Sequence, residues 1–351
     1  MWTTTICKQP LKLQSGLTLI ELMVALLVGL FLMLGSLTMF QQSQANFRVA
    51  NSVARLQENG RFALETIEPD IRLAKFWGRS AEPGLINSAI PAAVVVACDT
   101  VDTSAGMNPP TTYTRWVLNF SRELWVVDET SGYGHNQLGI PCSPATAAQP
   151  TSDVLVVRHA AGQTAVPTNG MVQVQTDLGR SDIFNDGAVP PGYGAFAQTH
   201  NVIVNIYYVD QSSDLDPAMP SLRLKTLVPG GTHQDQEVIS GVENMQVQLG
   251  VDTDNDGEVE RYVNANHPII DPTNPASIPG AEVIAMRLWM LLRTDRAETG
   301  FIDRLQYLTP DTDIVVNTCA PGGGCAYPSS SRRLVMSKTV YLRNNRNVSG
   351  I

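Results

Sequence analysis

The chain has 351 residues, of which 43% are hydrophobic and 16% are charged, and its formal net charge is −9. This length accommodates one large domain or two ordinary ones, and the frequent apolar runs exclude intrinsic disorder. The acidic balance argues against a nucleic-acid-binding surface over the whole chain, while 27 glycines and 22 prolines favour a turn-rich β protein over a helical bundle.

An apolar run from Leu17 to Phe40 follows a short basic segment that contains Lys8 and Lys12. At about 1.5 Å per residue this run forms a helix of roughly 36 Å, which is long enough to cross the bilayer core of about 30 Å. The positive-inside rule places the N-terminus in the cytoplasm and the rest of the chain outside. A secretory signal peptide is a poorer fit, because the run is too long and no A-x-A site ends it.

Glu21 lies inside this apolar run. A carboxylate near the centre of a bilayer costs about 2.5–3.5 kcal/mol on insertion scales, and less near an end of the span. Such a group needs a positive partner. The nearest candidate is a new N-terminal amine, created by cutting the chain just before the run.

The segment from Gly16 to Ala25, GLTLIELMVA, resembles the class III signal of type IV prepilins and type II secretion pseudopilins. The resemblance implies that prepilin peptidase removes residues 1–16 by cutting after Gly16, and that Leu17 is then N-methylated. It also implies that Glu21, at the fifth mature position, pairs with a terminal amine as subunits pack into a filament. Leu17 departs from the pattern, in which Phe is commoner.

Removal of the leader takes away Cys7 and leaves an even number of cysteines on the oxidising side of the membrane: Cys98, Cys142, Cys319 and Cys325. The last two enclose Ala-Pro-Gly-Gly-Gly, a short flexible turn. We therefore predict a Cys319–Cys325 disulfide and, by elimination, a Cys98–Cys142 disulfide. Free buried thiols are the alternative.

Apolar residues recur at helical spacing beyond the membrane, so we predict one helix from Leu17 to about Lys75, with candidate kinks at Gly60 and Pro69. After residue 75 short apolar runs alternate with turn residues. They predict strands at Ala92–Cys98, Thr114–Phe120, Leu124–Val127, Val154–Arg158, Met171–Gln175, Val202–Val209, Leu222–Val228, Met245–Val251, Val283–Arg293 and Arg333–Arg343. Ser181–Gln198 and Asn264–Gly280 are predicted loops.

The predicted fold class is α+β and pilin-like: one long N-terminal helix packed on an antiparallel β-rich head. The domain boundaries follow, with a leader at 1–16, a transmembrane and assembly helix at 17–75 and a globular head at 76–351.

An acidic segment follows the strand predicted at Met245–Val251. Its carboxylates lie at alternate positions: Asp252, Asp254, Asp256, Glu258 and Glu260. Alternating oxygen ligands with Gly257 at the sixth position fit a Ca²⁺ loop, although Val263 occupies the twelfth position, where an EF-hand has Glu. The alternative is an acidic β-hairpin turn with Val259–Val263 as the return strand.

The segment 241–254, GVENMQVQLGVDTD, resembles PilW-type minor pilins. The resemblance implies a minor pilin of the inner membrane, with a periplasmic head, that later lies at the pilus tip. Its implied partners are other minor pilins, the major pilin and a pilus-tip adhesin. It would help prime type IV pilus assembly and support twitching motility, attachment or DNA uptake.

Enzyme motifs are missing from the sequence: the five histidines are scattered, and neither HExxH nor G-x-S-x-G occurs. We therefore expect no catalysis. Arg332 and Arg333 are interpreted as a solvated edge. Two other functions stay open, a large pseudopilin of a type II secretion system and a calcium-dependent adhesin on a pilin stalk.

Overall fold

The computed structural model describes residues 16, 18–80, 86, 94–97, 100–101, 113–114, 117–120, 123–127, 148–149, 151–265, 267–270, 274–298, 300–310, 313–315 and 327–343. All five cysteines, and Leu17, lie outside these residues. The chain divides into two compact units, one up to Ser52 and one from Val53 onwards.

Helix α1 (Leu19–Leu73) begins in the first unit and ends in the second. In the first unit every residue from Leu19 to Arg48 is exposed, and α1 is long and apolar enough to cross a membrane. In the second unit α1 buries a stripe at helical spacing: Leu56, Gly60, Ala63, Leu64, Ile67 and Ile71. The pattern of burial therefore changes from none to one face along the same helix.

Gly60 and Pro69 do not end the helix, which continues through both. Gly60 is buried against the sheet, where an added Cβ would collide with Met336 Sδ and lie 3.0 Å from Leu292 Cδ1. The glycine thus allows the helix backbone to approach the sheet closely at this turn.

The strands are β1 (Thr100–Val101), β2 (Tyr113–Thr114), β3 (Leu124–Val127), β4 (Val154–Thr164), β5 (Asn169–Asp177), β6 (Arg180–Asp186), β7 (Gln198–Asp210), β8 (Ser221–Val228), β9 (Thr232–Ser240), β10 (Val242–Asp252), β11 (Arg261–Asn264), β12 (Glu282–Arg293), β13 (Gln306–Leu308), β14 (Asp313–Val315) and β15 (Arg333–Tyr341). A short 3-10 helix spans Pro268–Ile270.

All the strand pairs in the described part of the chain are antiparallel. One sheet has four strands in the order β11-β10-β12-β15. A seven-stranded sheet contains β3-β4-β7-β5-β6, and β8 and β9 extend from β7. The fold class predicted from the sequence is confirmed: one long N-terminal helix is followed by antiparallel β-sheets.

The seven-stranded sheet is buried on both faces. Along β4, Leu155 and Val157 lie in a core shared with α1 and the four-stranded sheet, while the alternate residues Val154 and Val156 lie in a second core with Trp77. Successive side chains of a strand point to opposite faces, so burial on both faces explains why these strands are apolar at nearly every position.

Three predictions for the head are wrong in part. Residues 94–97 are not in a strand, and residues 117–120 form a turn rather than the end of a strand. The predicted loop Ser181–Gln198 contains most of β6, because Ile183 and Phe184 are buried there despite polar neighbours.

Candidate functional site

The start of α1 is closed by a reciprocal pair of hydrogen bonds between Thr18 and Glu21. The Glu21 carboxylate Oε2 accepts from the backbone N of Thr18 at 3.0 Å and from its Oγ1 at 2.9 Å. In return, the backbone N of Glu21 donates to Thr18 Oγ1 at 3.3 Å. This arrangement is a capping box, which satisfies backbone N–H groups that have no partner within the helix.

Glu21 therefore has a local function within a single chain. The pattern Thr-x-x-Glu before an apolar run could have indicated this function from the sequence. The cap leaves the carboxylate exposed, so the predicted pairing with the amine of a neighbouring subunit stays a prediction. Cleavage after Gly16, which is exposed, and methylation of Leu17 also stay predictions.

The acidic segment joins β10 to β11 as a hairpin. Asp252, Asp254, Asp256 and Glu260 each offer one carboxylate oxygen, and these oxygens all lie within 4.8 Å of one another. Glu258, the fifth predicted ligand, is not part of this group. Asp252 is buried, whereas the other three side chains are exposed.

Backbone N–H groups of the hairpin occupy several of these oxygens. Asp252 accepts from Asn255 N at 2.6 Å through Oδ1 and from Gly257 N at 2.8 Å through Oδ2. Glu260 Oε2 accepts from Thr253 N at 2.6 Å. Asn255 and Gly257 have φ values of 63° and 88°, a region that both residue types tolerate. The hairpin is thus built as a turn, and a Ca²⁺ site there stays a prediction.

A polar cluster that sequence reasoning missed lies between α1 and the seven-stranded sheet. Asp70 Oδ2 accepts from Asn205 Nδ2 at 2.5 Å and from Tyr207 Oη at 2.6 Å. His159 Nε2 lies 3.4 Å from Asp70 Oδ1, and His159 Nδ1 lies 2.9 Å from the carbonyl oxygen of Ala160. These contacts tie the last turn of α1 to β4 and β7.

Burial opposes ionisation of the Asp70 carboxyl, but its interactions with His159, Tyr207 and Asn205 outweigh burial and lower its pKa below the ordinary value. Burial, with the charge of Asp70, raises the pKa of Tyr207 well above its usual range, so its hydroxyl stays a donor. The cluster therefore holds an ionised carboxylate at the helix–sheet contact.

The interpretation of Arg332 and Arg333 as a solvated edge is wrong for Arg333, whose side chain is fully buried. Arg333 Nε donates to Glu243 Oε2 at 2.6 Å, and its Nη1 donates to Asp303 Oδ2 at 2.9 Å. Tyr307 Oη also donates to Asp303 Oδ2, at 3.0 Å. Burial of the guanidinium is compensated because two carboxylates surround it.

The cysteines predicted to form disulfides, Cys98, Cys142, Cys319 and Cys325, lie outside the described residues, and both pairings stay predictions.

Two family models match the chain. The model described as Type IV Pilus-assembly protein W matches residues 206–344, and the Prokaryotic N-terminal methylation motif matches residues 11–37. No curated protein matches. Among solved structures, the chain is similar to the type IV-like pilin TTHA1219 from Thermus thermophilus at 15% sequence identity, with 57% of this chain and 82% of that chain covered and a TM-score of 0.24.

A methylation motif that opens an exposed apolar helix, followed by antiparallel sheets, defines a type IV pilin-like protein anchored by a single membrane span. The match over residues 206–344 covers all strands from β8 to β15, the hairpin between β10 and β11 included. The two matches support a minor pilin of the PilW type, as the sequence predicted. Pilins are structural proteins.

Proposed function

We propose that this minor pilin helps to prime type IV pilus assembly in a complex with other minor pilins and then lies at the pilus tip. In that role it contacts the major pilin and a tip adhesin, works without catalysis, and supports twitching motility, attachment or DNA uptake. The observation that carries the proposal is the surface of α1 from Leu19 to Arg48, where every residue is exposed.

The apolar side chains of this surface must be shielded from water, first in the membrane and later in the filament. Lipid covers its apolar side chains while the chain is anchored in the inner membrane. Helices of neighbouring subunits replace lipid in a filament, where close packing and polar contacts between helices supply the association energy. Glu21 favours this exchange, because a carboxylate gains a positive partner in the filament that lipid does not provide.

We expect the head to lie in the periplasm before assembly. Lys8 and Lys12 precede the span, so the positive-inside rule leaves the head on the outer side. The head would then be carried to the extracellular tip as the pilus grows.

A type II secretion pseudopilin has the same N-terminal signal and processing, but it acts in protein secretion instead of in a surface pilus. Deletion of the gene separates the two functions: we expect the loss of surface pili and twitching with normal secretion of folded exoproteins. Loss of secretion with normal piliation would contradict the proposal.

Two substitutions at Glu21 test the assembly step within this experiment. Glu21→Gln keeps a side chain that can cap the helix, since Gln serves in the capping box, but it removes the negative charge. Glu21→Ala removes both. If charge pairing drives assembly, both variants should be inserted and cleaved yet fail to restore piliation. If Glu21→Gln restores piliation and Glu21→Ala does not, Glu21 acts only as a helix cap and charge pairing does not drive assembly.

We further propose that the hairpin between β10 and β11 binds Ca²⁺. The proposal is supported by the convergence of four carboxylates within 4.8 Å and by the preference of Ca²⁺ for oxygen ligands in flexible loops. A calcium-dependent adhesin function would follow if purified protein bound cells or glycans only in the presence of calcium.

A further inference from the structure

We propose that residues 301–308, at one end of the four-stranded sheet, form a docking surface for a second copy of this chain. The surface of the partner copy is the acidic hairpin between β10 and β11. This inference concerns contacts between heads and does not depend on the priming role.

The segment 301–308 has an inverted pattern of exposure. Its inward side chains, Asp303 and Tyr307, are polar, and both are buried. Its outward side chains include Ile302, Leu305 and Leu308, which are 55%, 63% and 66% exposed. Three large aliphatic side chains exposed within seven residues are the usual mark of a contact surface rather than of a solvated loop.

The segment is held rigidly by its inward side. Asp303 and Tyr307 are hydrogen-bonded to each other, and Asp303 accepts from the buried Arg333. Arg332 stacks over the ring of Phe301, with Cζ 4.3 Å from the ring centroid. A surface fixed before binding loses little conformational entropy when a partner docks.

The charges on the two surfaces indicate that the partner of segment 301–308 is the acidic hairpin of a second copy. Arg304 lies within this segment and is exposed, as is Arg296, five residues before its start, and neither makes an ion pair with any described residue. Without bound calcium, the hairpin of the same chain carries the opposite charge on exposed Asp254, Asp256 and Glu258.

The acidic hairpin also has an apolar neighbour. Ile278 is 37% exposed, and Gly280, two residues later, approaches Asn255 of the hairpin. An apolar surface with a positive rim therefore has a complement with a negative rim in the same protein.

The two surfaces lie at opposite ends of one sheet. In the pairing of β10 with β12, Asp252 faces Glu282 at one end and Val242 faces Leu292 at the other. The hairpin follows Asp252, and segment 301–308 lies beyond the end at Leu292. A contact between them is heterologous and leaves one surface of each kind free on every pair, so further copies can be added until the assembly closes into a ring or continues head to tail.

Photo-crosslinking in native membranes tests the contact with the full chain. A benzophenone amino acid at Leu305 should give a crosslinked dimer whose peptide maps to residues 252–280 of the second copy. Raising the salt concentration should lower the yield severalfold, because screening weakens exposed charge pairs. The same probe at Leu178, which is 75% exposed on the other sheet, is the matched control and should give no such dimer.

Charge exchange makes the test specific. Arg296→Glu with Arg304→Glu should abolish the crosslink, and so should Asp254→Lys with Asp256→Lys and Glu258→Lys. Two differently tagged copies, one with each set, should crosslink again but only with each other, because in the mixed pair each segment then meets a hairpin of opposite charge. No dimer at Leu305, a dimer mapping elsewhere, or no recovery in the mixed pair would overturn the inference. Piliation scored in the same cells reports the priming role separately.

Discussion

Replacement of Asp70 tests whether the polar cluster at the end of α1 holds the helix on the sheet. The carboxylate accepts two hydrogen bonds, from Asn205 and Tyr207, and hydrogen bonds to charged groups contribute about 1.5–3 kcal/mol each. Removing a buried carboxylate also removes the cost of its dehydration. We therefore expect Asp70→Ala to lower the free energy of unfolding by about 2–4 kcal/mol, within the range for a broken buried charge network.

Two further substitutions separate the charge from the hydrogen bonds. Tyr207→Phe removes one donor and should cost about 1–2 kcal/mol. The double substitution with Asp70→Asn should show a coupling energy above about 0.5 kcal/mol, because the two side chains are in direct contact. Glu65→Ala is the control on the exposed side of the same helix, where a surface pair with Arg61 contributes about 0–1 kcal/mol.

The pH dependence has a definite sign. The pKa of Asp70 is lowered in the folded state, so its stabilising effect is complete above the unfolded value of about 3.9 and is lost as the pH falls through the folded value. The difference between the wild-type protein and Asp70→Asn should therefore be large at pH 7 and shrink below about pH 4.

Urea unfolding of the full chain in detergent, followed by tryptophan fluorescence, measures these changes. Trp77 reports the region directly, since it is buried with its ring edge-on to Phe120 at 4.7 Å. A loss below about 1 kcal/mol for Asp70→Ala, set against the range expected for buried networks, or a difference that does not change with pH, would refute the reasoning.

Three other predictions concern processing, disulfides and metal binding. The mature N-terminus should be Leu17, and Gly16→Ala should hinder cleavage; mass spectrometry of membrane fractions measures both, and any other N-terminus contradicts the pilin signal. Non-reducing peptide mapping should recover Cys98–Cys142 and Cys319–Cys325, the first closing a loop for which chain entropy predicts roughly 4 kcal/mol; a Cys98–Cys319 peptide would show the pairing to be wrong. Calcium at a hundredfold excess over Kd should raise stability by roughly 2.7 kcal/mol, and Asp254→Asn, which keeps the hydrogen-bond acceptor but not the charge, should remove that gain. If neither calcium nor chelator changes the melting temperature, the hairpin is only a turn and does not bind calcium.

The long helix and the central strands were predictable because the helix and β10 have a clear apolar period and β12 is an almost continuous apolar run. β10 and β12 carry apolar residues in the pattern of buried strands, and the structure pairs them along nearly their full length. β6 and β9 were missed because they are polar. β9 contains Asp235 and Glu237, whose charges are compensated by basic side chains of the neighbouring strand β8: Arg223 Nε lies 2.8 Å from Asp235 Oδ1.

The polar clusters could not be predicted, because their members are remote in sequence. Asp70 meets Asn205 and Tyr207 at separations of 135 and 137 residues, and no local pattern encodes such a meeting. Glu243, Asp303 and Arg333 come together in the same way. In the sequence Arg333 resembles a surface residue because Arg332 precedes it, and only the fold shows that its side chain is buried.

Helix α1 is attached to the four-stranded sheet at successive points along its second half, and this has a mechanical consequence. Arg55 pairs with Asp295 at 3.0 Å, Gly60 lies against Met336, and Glu68 pairs with Lys338. Met336 and Lys338 follow the same order on β15 as their partners on α1. A tension applied along the helix axis therefore loads these attachments together, in shear. The head should resist pulling along α1 far better than peeling of α1 away from the sheet, which breaks the same attachments one after another.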